Sequence, residues 1–139
     1  MAEIFRPSWD EIWMTFAGHL SERSTCDRLH VGCVIVSDDN HRVLSMGYNG
    51  GAKGVFNACL SKEQGSCGHA HAELNALVKM DYNDPAVKKM YVTYMPCFNC
   101  SVLIVNSNVH EVVYGEVYRS IEGINLLKDA GILVRQVSI

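Results

Sequence analysis

Charge is scarce in this chain, and neither sign dominates. Charged residues make up 19% of the 139 positions, with 12 Lys+Arg against 15 Asp+Glu. A net charge of -3 leaves no strongly basic surface. That argues against a dedicated nucleic-acid binder, which needs clustered cations to displace counterions from phosphates. No apolar run reaches the roughly 18 residues that a membrane-spanning helix requires. The start, Met1-Ala2-Glu3-Ile4-Phe5-Arg6-Pro7, has no basic segment followed by an apolar stretch, so no secretory leader is read there. The expectation is a cytoplasmic protein. Repeats, low-complexity segments and linkers are also missing. A 48% hydrophobic chain of this length suits one compact domain spanning 1–139.

Cysteine, by contrast, is plentiful, with six residues. The even number permits disulfides. The missing leader and the two-residue gap between Cys97 and Cys100 favour reduced thiols and a metal instead.

Hydrophobic periodicity divides the chain into nine elements. Ser8 and Glu11 form a capping box, and Ile12, Trp13, Phe16 and Leu20 recur behind it at helical spacing, fading near Arg23-Ser24. Val31–Val36 is a β-branched run, Asp38-Asp39-Asn40 a turn, and His41–Tyr48 a returning strand, which together read as a hairpin. Gly47–Gly54 is a glycine-rich loop, and Val55–Gly68 is polar and irregular. A helix begins at Glu73 and ends at Asn83-Asp84-Pro85. Met90–Tyr94 is a strand, Cys97–Val105 a helix, Val109–Tyr114 a strand, and Ile121–Ala130 a helix closed by Gly131. Ile132–Val137 is the last strand. The order α-β-β-α-β-α-β-α-β predicts an α/β protein: a sheet with helices on both faces.

Chemistry concentrates in two short segments, His71-Ala72-Glu73 and Pro96-Cys97-Phe98-Asn99-Cys100. Zinc favours nitrogen and sulfur ligands, and a catalytic zinc takes three from the protein while leaving a fourth position open. His71, Cys97 and Cys100 supply three. Both segments open predicted helices, whose N-termini favour thiolates through their partial positive charge. Pro96 sits just ahead of its helix, where its missing N–H costs nothing. Glu73 follows His71 closely enough to exchange protons with water in the site without itself binding metal. The segment reads His69-Ala70-His71-Ala72-Glu73. Taking the ligand as His69 would leave His71 at the carboxylate position, so His71 is the predicted ligand. A noncatalytic zinc module is the alternative. Structural zinc usually closes with four protein ligands, whereas here the natural fourth partner is a carboxylate.

The two segments resemble the H-x-E…P-C-x-x-C signature of zinc-dependent nucleobase deaminases. The similarity widens when Ser8-Trp9-Asp10-Glu11, Arg23-Ser24, Val31–Ile35, Gly47-Tyr48-Asn49-Gly50, His71–Ala76 and Tyr91-Val92-Thr93 are read in order. In this arrangement the chain resembles the deoxycytidylate (dCMP) deaminase family from Ser8 to about Tyr118. The resemblance implies a three-layer α/β/α cytidine-deaminase-like fold with a five-stranded mixed sheet. It implies hydrolytic conversion of dCMP to dUMP and ammonia, feeding thymidylate synthesis, with Zn(2+) at His71, Cys97 and Cys100 and Glu73 as the proton carrier. The alternatives left open are another free cytosine nucleotide or nucleoside, such as dCTP or cytidine. A tRNA-adenosine substrate would call for a basic surface that the composition does not supply.

The same resemblance implies that Asn49 hydrogen-bonds the sugar or base; an amide can both donate and accept. A monophosphate also needs donors. Arg23, Ser24 and Arg28 follow the first helix, and Arg23, Ser24 and Tyr118 are the expected contacts. Members of the family are often hexamers, activated by dCTP and inhibited by dTTP, with Mg(2+) accompanying a triphosphate effector. Gly50 and Lys53 of the glycine loop are the candidate effector contacts. Cys26, Cys59, Cys67 and His69 remain, and three sulfurs with one imidazole complete a structural zinc set. Some viral-type relatives resemble this in carrying a second zinc there. Cys33 lies in a predicted strand and reads as a small apolar core residue.

Overall fold

The computed structural model describes residues 4–54, 69–118 and 120–138. Its elements follow the predicted order: α1 (Trp9–Ser21), β1 (Gly32–Ser37), β2 (Val43–Tyr48), α2 (Ala72–Lys79), β3 (Lys88–Tyr94), α3 (Phe98–Val105), β4 (Val109–Glu116), α4 (Glu122–Asp129) and β5 (Leu133–Gln136). The strands form one sheet in the order β2-β1-β3-β4-β5. β1 runs antiparallel to both β2 and β3, while β3, β4 and β5 are mutually parallel.

Helices cover both faces, as the alternating pattern predicts. On one face Trp13, Met14 and Ala17 of α1 pack on Val34, Val36, Tyr91 and Val113. On the other, Ala72 and Ala76 of α2, Ile104 of α3 and Ile124 and Leu127 of α4 pack on Cys33, Ile35, Met90, Val92 and Val112. β1 is buried along all six residues because both of its faces are covered, so its sequence is a continuous apolar run without alternation. Cys33 is one of these core residues.

Local signals explain the ends. The Ser8 hydroxyl accepts from Glu11 N at 3.1 Å and caps α1. Gly131, at φ +84°, ends α4: its N–H reaches Lys128 O at 3.0 Å, and Ile132 N reaches Leu127 O at 3.0 Å. The main departure lies at β3, which starts at Lys88 rather than Met90. Two lysines open the strand, and both are buried. Lys88 Nζ donates to Asp84 O at 2.6 Å and Ala86 O at 3.2 Å, and Lys89 Nζ donates to Asn40 Oδ1 at 2.8 Å. Both ammonium groups therefore leave water without losing hydrogen bonds.

Candidate active site

Two helix N-termini meet on one side of the sheet. His71 is the N-cap of α2 and Cys97 the N-cap of α3. The α3 start follows directly from the carboxyl end of β3, the usual location of a ligand crevice in α/β sheets. The His71 side chain makes no capping hydrogen bond to its own helix. It turns outward, with Nδ1 3.2 Å from Cys100 Sγ and 3.6 Å from Cys97 Sγ. Cys97 Sγ accepts from Cys100 N at 3.5 Å, so this sulfur is itself the cap of α3.

The donor set fits zinc. The three ligand atoms lie within 4.8 Å of one another, and no other such His/Cys/Asp/Glu group occurs among the described residues. Tetrahedral zinc with bonds of about 2.0 Å to nitrogen and 2.3 Å to sulfur separates its ligands by about 3.6 Å. The observed contacts of 3.2 and 3.6 Å come close to that spacing. Cys97 is pulled well below the usual thiol range by its hydrogen bond with the Cys100 side chain, helped by His71 and by the Cys100 N–H. Cys100 is pushed up by the same partner and by burial. A bound dication favours the thiolate form of both sulfurs.

Glu73 lies in the first turn of α2 and is only 4% exposed. Burial raises its pKa above the ordinary carboxyl value, opposed by a backbone hydrogen bond and by the neighbouring His71. A carboxyl so placed can take up a proton at a higher pH than an exposed one.

His71, Glu73 and Cys97 line one cleft. Its walls include Leu29, Val31 and Met95, with Tyr94 and Tyr118 as an edge-to-face pair at 6.0 Å. The only described cation on its lining is Arg28, whose guanidinium donates to Tyr118 Oη at 3.2 Å. Asn49 also lines it and is 7% exposed. Its Oδ1 accepts from Val31 N at 2.8 Å, and its Nδ2 donates to Leu29 O at 2.7 Å. Asn49 thus clamps the segment that carries Arg28. Asn75 Nδ2 donates to Tyr48 O at 2.9 Å, and Gly50 and Ala70 exchange backbone hydrogen bonds, tying the glycine loop to the start of α2.

Two of the expected phosphate contacts lie elsewhere. Arg23 lines a second cavity together with Gly50 and Lys53, not the cleft. The chain turns immediately after α1, with Arg23 N bonded to Leu20 O at 3.0 Å. The Ser24 hydroxyl accepts from Cys26 N at 3.2 Å and is absent from the cleft lining. Tyr118 does line the cleft. Arg23 and Arg28 both follow α1, and nothing in their spacing tells which of them reaches the cleft. Tyr94 went unnoticed, although its place at the carboxyl end of a parallel strand was the available signal. Cys26 and His69 both line the cleft, while Cys59 and Cys67 lie outside the described residues.

The family model described as the cytidine and deoxycytidylate deaminase zinc-binding region matches residues 7–116. The chain belongs to this family. Within it, the chain is 38% identical over 151 residues to the deoxycytidylate deaminase of Saccharomyces cerevisiae, a match covering 99% of this chain and 47% of the yeast protein. It therefore spans about half the length of the curated yeast relatives it matches. The deoxycytidylate deaminase of Mycobacterium phage D29 is 37% identical over 124 residues, covering 78% of this chain and 95% of that protein. Among solved structures, the dCMP deaminase of cyanophage S-TIM5 in complex with dCMP and dUMP superposes with a TM-score of 0.82 at 32% identity. That match covers 96% of this family member and 100% of the phage chain. The five-stranded mixed sheet with its four helices is thus the cytidine-deaminase-like fold.

Proposed function

We propose that this chain deaminates dCMP hydrolytically, giving dUMP and ammonia, as one catalytic domain spanning 1–139. The observation that carries the reading is the convergence of His71 Nδ1, Cys97 Sγ and Cys100 Sγ beside a buried Glu73 in one cleft. The names of the yeast and phage relatives and the dCMP/dUMP complex of the cyanophage protein support the substrate. A zinc ion held by His71, Cys97 and Cys100 would supply Lewis-acid activation of water, bringing its pKa towards about 7.

The chain's own groups do the rest. Glu73 accepts a proton from the attacking water and delivers it to ring N3 of cytosine. The water oxygen bonds to C4, the carbon that bears the amine. Glu73 then carries the remaining hydroxyl proton to the amine, the C4–N bond breaks, and ammonia leaves. Tyr94 and Tyr118 offer aromatic faces for the base and sugar. Asn49 keeps one amide hydrogen for a substrate hydroxyl while it clamps Leu29 and Val31. Arg28, with Tyr118, is the donor for the 5′-phosphate, replacing Arg23 and Ser24 in that role.

Supply of dUMP for thymidylate synthesis, a hexameric assembly and control by dCTP and dTTP belong to the same reading. The second cavity, where Arg23, Lys53 and Lys79 surround Gly50, suits a triphosphate. The test is ammonia release measured in parallel with dCMP, dCTP, deoxycytidine and cytidine. The expected order has dCMP far ahead. A preference for deoxycytidine over dCMP refutes the assignment.

A further inference from the structure

Each ligand-bearing helix start rests against a glycine of a neighbouring element. On the α2 side, a Cβ added to Gly47 of β2 would stand 2.7 Å from Ala76 N and 2.8 Å from Ala72 O. On the α3 side, a Cβ at Gly123 of α4 would stand 2.6 Å from Pro96 O, 2.6 Å from Ser101 Oγ and 2.9 Å from Cys97 O. These separations are well inside van der Waals contact, and most of the opposing atoms are backbone, which cannot swing away. Gly123 is a buried helical residue with φ outside the left-handed region, so what it contributes is missing volume rather than a special conformation.

The atoms facing Gly123 belong to one turn. Ser101 N donates to Cys97 O at 2.9 Å, closing the first turn of α3, and Cys100 N donates to Cys97 Sγ at 3.5 Å. That turn carries both cysteine ligands. A methyl group at Gly123 would press on its preceding carbonyl, on its first hydrogen-bonded carbonyl and on Ser101, which is fully buried. We propose that Gly123 is a positioning residue for the metal site. By presenting bare backbone, α4 backs the Pro96–Ser101 turn and holds Cys97 and Cys100 at the spacing that makes a ligand triangle with His71. This rests on the zinc reading above but not on the identity of the substrate.

The test compares Gly123→Ala with Gly18→Ala, a helical glycine with nothing within 4 Å of its added Cβ. Zinc affinity is measured by chelator competition, the thiolate charge-transfer bands are recorded with Co(2+), and unfolding midpoints are taken with and without zinc. Disturbing the support of a metal ligand typically weakens binding by roughly 10–100-fold, and that loss, with altered cobalt bands, is expected for G123A alone. Unchanged zinc affinity in G123A, with both midpoints lowered equally, would show a purely structural glycine and overturns the proposal. If G123A does not fold, the S101A/G123A protein carries the same comparison, because it removes one of the two nearest atoms. Among the described residues the Ser101 hydroxyl has no hydrogen-bond partner, so its loss sacrifices none there. A wild-type chain that binds zinc but releases no ammonia from dCMP refutes the substrate alone and leaves this comparison intact.

Discussion

On the proposed reading, Glu73 carries the chemistry and Arg28 the recognition. Glu73→Gln keeps the shape of the side chain and removes its ability to carry a proton. The expected outcome is full zinc content, an unchanged fold and a fall in kcat of roughly 10²–10⁴-fold, the usual contribution of a positioned acid–base group. Retained turnover, measured by ammonia release, would mean that Glu73 is not the proton carrier, whereas a wild-type chain with no turnover would be a noncatalytic metal module. Arg28→Ala removes the cleft's cation, and loss of a charged hydrogen bond should lower kcat/KM for dCMP by roughly 10–100-fold while sparing deoxycytidine. Arg23→Ala should leave both substrates alone, because Arg23 lines the other cavity. His71, Glu73, Cys97 and Cys100 were legible in the sequence because their chemistry demands particular residue types at short, fixed spacings. Arg28 was not, because an arginine's role depends on where its long side chain ends. Asn49 was partly legible: its place beside the site was expected, but its grip on Leu29 and Val31 spans about 20 residues that only the fold brings together.

α1 shows how an element is held by groups far apart in sequence. Asp10 accepts from Tyr91 Oη at 2.5 Å and from Arg135 at 2.8 and 3.1 Å, and Arg135 also reaches Glu111 at 3.2 Å. The Arg135 hydrogen bond, joined by Tyr91, holds the Asp10 carboxyl below its ordinary range against the opposing effect of burial. A carboxyl with a depressed folded-state pKa contributes stability above its unfolded pKa and loses it as pH falls. Asp10→Asn should therefore lower stability by about 1–2 kcal/mol at pH 7. The gap from wild type should be complete above about pH 4 and close as pH falls below that value. Parallel denaturant melts across pH check this, and a gap independent of pH would show that the charge is not what matters. At this scale the sequence was a good guide. All nine elements were legible from periodicity, caps and turns, and Gly131 closes α4 as its position implied. The boundary at Lys88 shifted because two buried ammonium groups find oxygen partners, Lys88 on the nearby carbonyls of Asp84 and Ala86 and Lys89 on the distant Asn40, which hydrophobic periodicity does not record.

Across the whole molecule the two cavities meet adjoining residues of the glycine loop. Gly50 lines the one containing Arg23 and Lys53, and its neighbour Asn49 lines the cleft beside His71. Binding at one could shift the loop that bounds the other, which is the physical basis for expecting regulation. The dCMP saturation curve should be sigmoidal, become hyperbolic with dCTP and move to higher substrate concentration with dTTP. A hyperbolic curve insensitive to both removes regulation from the reading. No described helix is long and apolar enough to cross a membrane. The sequence alone determined the element order, the layering and the candidate metal-ligand set. Periodicity, capping and coordination are local or type-specific physics, carried in short stretches of chain. Only the tertiary structure decided which arginine faces the cleft, that Asn49 and Asn75 tie its walls together, and that Gly123 meets the cysteine turn. These depend on contacts between segments distant in sequence, and packing at van der Waals distance leaves no periodic trace along the chain.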